Sequence, residues 1–307
     1  MTELILHHYD FSNYAEKARL ALGFKGVSWR SVTIPPVAPK PDLMPLTGGY
    51  RRTPVLQIGA DVYCDTRMIL RELERRHATP TLYPRALAAQ AHAIAFWAET
   101  QLFRPISLYV SGSNPEHFPL SLQADRAAMR GLPPPDAEAM RRAAQRNAPL
   151  VRAQLPIVED MLADGRLFVL GEVPSIADFS VYHALWFITG RTQRLAHELA
   201  PYARIGAWMA RMKAFGHGQR AEMAPHEALQ VAAQARPLPP RPSQPYDEDP
   251  PLGSGVRIRA DDYGREAVEG QLDFIDRHEI AIRRHGPDIG EVVVHFPRLG
   301  YDLRQIH

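Results

Sequence analysis

Residues 51–66 constrain the fold of this chain most, because one short run predicts a tight turn, a β-hairpin and a helix start. Residues 55–58 and 62–64 are mostly apolar or β-branched and flank a turn that contains Gly59, so they predict two short antiparallel strands. The sequence then changes to apolar residues at helical spacing, and Asp65 and Thr66 are of the residue types that cap a helix. The fold must therefore lead a hairpin directly into a helix.

Pro54 stands immediately before the first of these strands. Proline cannot donate to a strand ladder, so at this position it marks a strand start, an edge or a special turn. A cis bond between Thr53 and Pro54 would leave the Thr53 N–H and C=O free to pair with an extended ligand. Asp65 and Thr66 lie at a positive helix terminus, which suits a carboxylate. The alternative is that Pro54 only begins a strand.

Length and composition exclude several classes of protein. The 307 residues suffice for about two domains with a sizeable core. A net charge of +2 gives no indication of nucleic acid or an anionic membrane as a partner. Cys64 is the single cysteine, so an internal disulfide is excluded and a reducing compartment is expected. No signal peptide or membrane-spanning run is present, so we expect a cytoplasmic protein, and its Arg-, Ala- and Pro-rich composition indicates a bacterial source.

The N-terminal region predicts alternating strands and helices. Residues 4–9 and 27–32 predict strands, and residues 14–23 predict the helix between them. Strands joined through a helix are expected to be parallel with a right-handed crossover. Asn13 and Glu16 have the spacing of a variant capping box at the start of that helix.

The histidine pattern does not predict a metal site. His7 and His8 are adjacent in a predicted strand, so their side chains point to opposite faces. We therefore expect one core and one surface histidine. The other histidines lack metal-ligand spacing.

The middle of the chain is predicted to be helical. Residues 86–110 and 136–163 predict long helices, and the proline-rich residues 111–135 predict a loop or a short-helix insertion. Ser175 and Asp178 predict a capping box before a run that is apolar almost all round, which is typical of a central buried helix. Two shorter helices are predicted after it, at residues 201–215 and 225–235.

The C-terminal region follows a different pattern. Residues 236–251 are rich in proline and predict an extended, semi-rigid linker. Beyond it the periodicity changes to two, in five short segments separated by turn residues. Such spacing predicts a small antiparallel β barrel or sandwich.

Taken in order, these motifs resemble the glutathione transferase family, over about residues 2–235. The resemblance rests on the segments 12–20, 53–56, 65–66 and 171–178. It implies a thioredoxin-like glutathione-binding domain and an all-helical C-terminal domain, to which this chain adds the linker and a β module. The corresponding boundaries are residues 1–80, 85–235, 236–251 and 252–307. The family also implies a cis Thr53–Pro54 bond, glutathione as co-substrate, no metal, and a homodimer.

The resemblance assigns glutathione contacts residue by residue. Thr53, held by Pro54, should pair its backbone with the cysteinyl part of glutathione. Asp65 and Thr66 should hold the γ-glutamyl end. Many relatives have Glu or Gln followed by Ser here, and Asp is shorter by a methylene, so weaker binding or a shifted ligand is expected.

Three nearby cations are candidates for the glycyl carboxylate of glutathione: Lys40, Arg51 and Arg52. The alternative for each is a solvated surface charge.

Ser12 matches the position at which the family places its catalytic Ser or Cys. A hydroxyl donor and the positive helix terminus stabilise a thiolate, so the thiol becomes nucleophilic at neutral pH. The alternative is that Ser12 or Asn13 only caps the helix. Tyr9 and Tyr14 are rival hydroxyl donors, although Tyr14 is expected to pack in the core. A serine cannot form a mixed disulfide, which argues against thiol–disulfide reductase chemistry.

The predicted function is therefore addition of the glutathione thiolate to, or substitution on, a small hydrophobic electrophile. The alternative is a non-catalytic binding or scaffold protein that uses the β module for a protein partner.

Overall fold

The computed structural model of the protein describes residues 3–306. Its N-terminal elements are β1 (Ile5–His8), α1 (Asn13–Phe24), β2 (Ser28–Thr33), α2 (Met44–Thr47), β3 (Val55–Ile58), β4 (Asp61–Cys64) and α3 (Thr66–Arg76). β1 pairs parallel with β2 and antiparallel with β3, and β3 and β4 form the predicted hairpin. The Thr53–Pro54 bond is cis, as the resemblance implies. This arrangement is a thioredoxin-like domain.

Ser12, and not Asn13, caps α1. The Ser12 Oγ accepts a hydrogen bond of 3.2 Å from the Ala15 N–H. The Asn13 amide instead contacts His183 of the helical region at 2.8 Å, and Glu16 pairs with an arginine one turn along the helix. The predicted capping box of Asn13 and Glu16 is therefore wrong, because both side chains have tertiary or lateral partners.

The helical region follows α3. Its helices are α4 (Ala88–Trp97), α5 (Phe103–Ser113), α6 (Leu120–Ala128), α7 (Ala137–Met161), α8 (Ile176–Thr189), α9 (Ala203–Lys213) and α10 (Pro225–Gln234). A π-helical segment, Ala98–Leu102, joins α4 and α5 into one long helix. α6 lies within residues 111–135, where the sequence allowed either a loop or a short-helix insertion, and the structure has the short helix.

α8 is the predicted central helix, and its capping box is present. The Asp178 carboxylate accepts the Ser175 N–H at 2.9 Å, the Val169 N–H at 2.8 Å and the Trp208 Nε1–H at 3.0 Å. One buried carboxylate thus hydrogen-bonds to the start of α8, to the preceding loop and to α9. This motif therefore stabilises the fold.

The C-terminal strands are β6 (Gly255–Ala260), β7 (Val268–Ile275), β8 (Glu279–Gly286), β9 (Gly290–Pro297) and β10 (Tyr301–Gln305). They pair antiparallel in the order β10-β6-β7-β8-β9, so the predicted strand-rich module is present. It does not close on itself as a separate barrel or sandwich. The outer edge of β9 pairs parallel with β4, so the module continues the N-terminal sheet.

A further strand, β5 (Gln219–Glu222), lies between α9 and α10. It was not predicted, because its sequence is mostly polar and exposed and has no apolar alternation. Within residues 3–306 the resulting sheet has ten strands, in the order β10-β6-β7-β8-β9-β4-β3-β1-β2-β5. β5 pairs parallel with β2 at the far edge. One hydrophobic core lies between the N-terminal sheet and the helices, and a second is shared by the N-terminal sheet, α10 and the module.

Both faces of β1 are covered, so His7 and His8 are both buried. His7 contacts Gln57 at 2.9 Å, and His8 contacts Ser31 at 3.0 Å and Arg19 at 3.0 Å. Burial lowers the pKa of His7 to about 4 and that of His8 to about 3. The expectation of one surface histidine is therefore wrong. Cys64 is buried, as expected.

Across residues 3–306, no helix has the length and apolar character needed to cross a membrane.

Candidate functional site

A cavity of about 140 Å³ lies at the start of α1, between the N-terminal sheet and the helical region. Ser12 and Thr53 both line it, so the structure brings together the predicted thiol-activating residue and the residue predicted to pair with the cysteinyl backbone. Arg51 and Arg52 line it as well. We refer to it as the Ser12 cavity.

Ser12 is buried at the N-terminus of α1. Its Oγ accepts the Ala15 N–H, and its hydroxyl group also interacts with the Tyr9 phenol. The Ser12 hydroxyl proton can therefore be donated either to Tyr9 or to a ligand group in the cavity. The partial positive charge of the helix terminus acts at the same point. A thiolate placed here would receive a hydrogen bond and a favourable electrostatic field.

The two rival tyrosines occupy different places. The Tyr9 hydroxyl accepts a hydrogen bond of 2.8 Å from Arg126, and burial raises the pKa of Tyr9, so the phenol stays protonated at neutral pH. Tyr14 packs with its ring centroid 5.3 Å from that of Phe103 and 4.7 Å from that of His183. Both line the Ser12 cavity, but Tyr14 does so as part of an aromatic cluster.

Lys40 supports the segment that precedes β3. Its Nζ donates to the Arg51 C=O and to the Thr53 Oγ1, each at 2.8 Å, and Lys40 is only 1% exposed. Burial, with the nearby charge of Arg126, lowers the pKa of Lys40 to about 7. Within residues 3–306 the Thr53 N–H and C=O have no backbone partner. Lys40 therefore positions Thr53 and leaves its backbone groups available.

Arg51 and Arg52 are already paired with carboxylates of this chain. Arg51 contacts Asp125 of α6 and Glu266 of the β6–β7 loop, each at 2.6 Å, and Arg52 pairs with Asp262 of the same loop. Both arginine side chains are 11% exposed, so they are not the solvated charges that the sequence allowed as an alternative. A ligand carboxylate would have to compete with these partners.

Asp65 and Thr66 lie at the start of α3 and do not line the Ser12 cavity. The Asp65 carboxylate caps α3 through the Arg67 N–H at 2.9 Å and accepts the Tyr301 hydroxyl at 3.3 Å. Burial opposes ionisation of Asp65, but the Arg67 cation outweighs it, and the net pKa of Asp65 is lowered. The Thr66 hydroxyl accepts from the buried Lys17 at 3.4 Å.

The β6–β7 loop supplies a wall of the Ser12 cavity that sequence reasoning missed. Tyr263 lines the cavity, and its ring centroid lies 4.2 Å from the Arg52 guanidinium and 5.1 Å from that of Arg130. The Gly264 N–H donates to the Met129 C=O at 2.6 Å, which fixes the loop on the end of α6. The only signal in the sequence was an aromatic residue within a predicted turn.

An aromatic surface completes the cavity. Phe11, Phe103, Phe118 and Phe187 line it. Arg191 lies over two of these rings, 4.1 Å from the centroid of Phe11 and 4.6 Å from that of Phe118, and has no carboxylate partner in residues 3–306. Arg191 is not itself a lining residue, but Arg130 is, and Arg130 has no carboxylate partner in residues 3–306. The cavity thus combines an apolar wall with positive charge, which suits an anionic nucleophile beside an apolar reactant.

These features define a class of protein in which a thioredoxin-like domain is followed by an all-helical domain. The chain matches two family models, "Glutathione S-transferase, N-terminal domain" over residues 6–81 and "Glutathione S-transferase, C-terminal domain" over residues 139–211. The crystal structure of a GST-like protein from Pseudomonas syringae is 40% identical, with a TM-score of 0.80 and coverage of 100% of both chains. The chain belongs to the glutathione S-transferase family.

More distant structures show the fold alone. A glutathione S-transferase from Rhodospirillum rubrum F11 is 20% identical, with a TM-score of 0.52, and the match covers 68% of this chain and 87% of that one. Poplar glutathione transferase F1 is 15% identical, with a TM-score of 0.53 and coverage of 69% and 93%. No curated protein sequence matches the chain.

Proposed function

We propose that the protein is a glutathione transferase that joins the glutathione sulfur to a small hydrophobic electrophile. The observation that carries this proposal is that Ser12 and Thr53 line one cavity beside an aromatic wall, and that the Thr53 backbone groups have no backbone partner within residues 3–306. Membership of the glutathione S-transferase family, which uses glutathione as co-substrate, supports it.

In this proposal Ser12 donates its hydroxyl proton in a hydrogen bond to the glutathione thiolate, and the α1 terminus adds electrostatic stabilisation. The thiol proton is released to solvent. The sulfur electron pair then forms a bond to an electrophilic carbon. In a substitution the leaving group departs with its electron pair, and in an addition the acceptor takes up a proton.

The rest of glutathione is placed by the start of α3 and the segment before β3. Thr53, next to the cis Pro54, pairs with the cysteinyl backbone. Asp65 and Thr66, which lie outside the Ser12 cavity, bind the γ-glutamyl end where the ligand extends beyond that cavity. Lys40 acts through Thr53, to which it donates at 2.8 Å. Arg52 reaches the glycyl carboxylate only by exchanging its pairing with Asp262, so we expect modest affinity.

Replacing Ser12 tests the proposal. Ser12→Ala removes the hydroxyl and should lower kcat with 1-chloro-2,4-dinitrobenzene at least tenfold, while the glutathione Kd changes by less than about threefold. Ser12→Thr retains a hydroxyl and is the matched control, expected to keep most of kcat. If calorimetry detects no binding of glutathione at millimolar concentration, the proposal is wrong.

A second candidate is a binding or scaffold protein without turnover that uses the β module for a protein partner. The observation that favours it is the pairing of Arg51 and Arg52 with carboxylates of the chain, which opposes glycyl recognition. Glutathione binding with no turnover on a panel of electrophiles, unchanged by Ser12→Ala, would favour this candidate.

We also propose that the protein acts in the cytoplasm as a homodimer. Because β9 covers the β4 edge, subunits would have to associate through other surfaces. Sedimentation velocity at micromolar concentration distinguishes a dimer from a monomer of 34.5 kDa.

A further inference from the structure

One face of α6 forms a wall of the Ser12 cavity. Leu122, Gln123, Arg126, Met129 and Arg130 line the cavity. Their positions repeat at intervals of three and four residues, which places them on one face of α6 and of the turn that follows it. α6 therefore offers the cavity apolar surface together with two guanidinium groups.

The lining of the Ser12 cavity carries positive charge. Among the described residues that line it, none is Asp or Glu, whereas four are arginines. Carboxylates elsewhere in the chain neutralise three of them, through the pairs Asp125–Arg51, Asp125–Arg126, Glu266–Arg51 and Asp262–Arg52. Arg126 also donates to the Tyr9 hydroxyl and to the Pro36 C=O. Within residues 3–306, the lining arginine left without a carboxylate partner is Arg130.

Arg130 is held at the end of α6 by a hydrogen bond and an aromatic ring. Its Nη1 donates to the Arg126 C=O at 2.9 Å, and its guanidinium lies 5.1 Å from the centroid of the Tyr263 ring. This bond uses one of the five N–H donors of a guanidinium, and the C-terminal end of a helix favours a cation. Because Arg130 is exposed, its other donors can reach a ligand at the mouth of the cavity.

The β6–β7 loop fixes the Tyr263 ring against Arg130. The Arg52 guanidinium lies 4.2 Å from the centroid of the same ring, and the Gly264 N–H donates to the Met129 C=O at 2.6 Å. The C-terminal module therefore positions a cation at the mouth of the cavity, although Arg130 itself belongs to the helical region.

A second cation without a carboxylate partner lies beside the aromatic wall. The Arg191 guanidinium lies 4.1 Å from the ring centroid of Phe11 and 4.6 Å from that of Phe118, and its Nη1 is buried with no hydrogen-bond partner in the described part of the chain. A thiolate at Ser12 brings one negative charge, which the hydroxyl and the α1 terminus stabilise. Arg130 and Arg191 thus leave positive charge for a second anion.

We propose that the acceptor substrate is an aromatic electrophile that carries an anionic group, and that Arg130 binds this group. The inference rests on the proposed transferase function and names its substrate class. The ring of the acceptor packs on the apolar wall beside Leu122, and its carboxylate accepts N–H groups of Arg130 in a charge-assisted contact. An aryl chloride with a ring carboxylate is the simplest member of this class.

The transfer leaves that carboxylate unchanged. The thiol proton of glutathione is released to solvent, and the sulfur electron pair forms a bond to the ring carbon that bears chlorine. The C–Cl bond breaks, and chloride departs with its electron pair. The products are therefore the glutathione thioether, chloride and a proton.

Two acceptors that differ in charge test the assignment, 4-chloro-3,5-dinitrobenzoate and 4-chloro-3,5-dinitrobenzamide. With the full-length protein and glutathione, kcat/KM divided by the uncatalysed rate constant should be at least about tenfold higher for the benzoate. Arg130→Gln should reduce this preference to less than about threefold, mainly by raising KM for the benzoate, and Arg130→Glu should abolish or reverse it. Arg141→Gln, which removes one exposed positive charge on α7, is the matched control and should keep the tenfold preference.

Binding without turnover separates this inference from the transferase proposal. By calorimetry without glutathione, 3,5-dinitrobenzoate, which has no chloride to lose, should bind at least about fivefold more tightly than 3,5-dinitrobenzamide, and Arg130→Gln should remove the difference. Saturating glutathione should not displace the benzoate, because the two ligands occupy different parts of the site.

Equal affinity for the two dinitro compounds, or displacement of the benzoate by glutathione, overturns the inference even if 1-chloro-2,4-dinitrobenzene is turned over. A preference for the benzoate that Arg130→Gln leaves intact overturns the role of Arg130. A preference that depends on Arg130, with no turnover of any acceptor, upholds the charge selectivity of the cavity while the transferase proposal fails.

Discussion

At the scale of the residue, Ser12 shows that two alternatives read from the sequence do not exclude each other. Ser12 caps α1 through the Ala15 N–H and also lines the cavity. The loss of such a cap costs about 1 kcal/mol, so a Ser12→Ala variant loses some stability whatever its effect on turnover. The sequence predicted the residue and its place at the helix start. The burial of Lys40 and the pairing of Arg52 with Asp262 were not predictable, because they depend on partners that only the tertiary fold brings close.

Gly23 and Gly206 are both helical but have opposite surroundings. A Cβ at Gly23 would lie 2.0 Å from the Gly216 carbonyl oxygen, whereas nothing lies within 4 Å of a Cβ at Gly206. We expect Gly206→Ala to raise the free energy of unfolding by about 0.5–1 kcal/mol through helix propensity. Gly23→Ala should lower it by more than about 2 kcal/mol, because two backbones must separate. Urea unfolding followed by circular dichroism measures both, and similar effects at the two positions would contradict the prediction.

At the scale of the element, one histidine joins three strands. His295 of β9 contacts Glu279 of β8 at 2.7 Å and Asp61 of β4 at 3.1 Å, and its ring stacks on Tyr63 with centroids 4.3 Å apart. Burial alone would lower the pKa of His295, but the two carboxylates outweigh it and raise the pKa to about 9. The protonated imidazole therefore forms ion pairs with both carboxylates, and the pair with Asp61 stabilises the contact between the module and the N-terminal sheet.

Stability should depend on pH through this histidine. The pKa of His295 is raised from 6.5 to about 9, so its contribution is fully present below pH 6.5 and is lost as the pH rises through 9. The difference in unfolding free energy between wild type and His295→Gln should shrink by about 3 kcal/mol between pH 6 and pH 9.5. His285→Gln, exposed on the same strand as Glu279, is the control, and chemical denaturation at both pH values is the measurement. A difference that stays constant with pH would refute the role given to His295.

Elements with local signals could be predicted from the sequence. The β3–β4 hairpin and the capping box of α8 each follow from residues close together in the chain. In residues 111–135 the prolines marked the break in the helical pattern but did not decide between a loop and a short helix. β5 has no such signal, because a segment of four exposed residues, three of them polar, adopts a strand only where β2 offers an edge. The pairing of β4 with β9 could not be predicted from the sequence either, because it depends on the tertiary fold. The alternating pattern of the C-terminal strands is equally consistent with a closed barrel.

At the scale of the whole molecule, the module is part of the same core and the same site as the transferase-like region. Val62 of the hairpin and Phe296 of β9 belong to one buried cluster, and Tyr263 lines the cavity that holds Ser12. The aromatic turn at Tyr263 could not be assigned to the site from sequence, because the two are separated by the entire helical region.

A chain that ends at Ala235 should therefore fail to fold cooperatively. It would expose the β4 edge and the apolar residues that now contact the module, and exposed strand edges promote aggregation. We expect it to be insoluble, or to unfold without a sigmoidal transition in urea, whereas the full chain unfolds cooperatively. A soluble, cooperatively folded product with wild-type turnover would show that the module is dispensable.

The parallel pairing of β4 with β9 also sets an order for biosynthesis. Asp61 and its partner Val293 lie about 230 residues apart, so a ribosome that adds 5–20 residues per second needs roughly 10 to 50 s between them. During that interval the β4 edge has no partner strand, and the core that the N-terminal sheet shares with the module is incomplete. We therefore expect the nascent chain to be a chaperone substrate until strands β6 to β10 are made, although residues such as Val62 and Phe296 are buried in the folded protein.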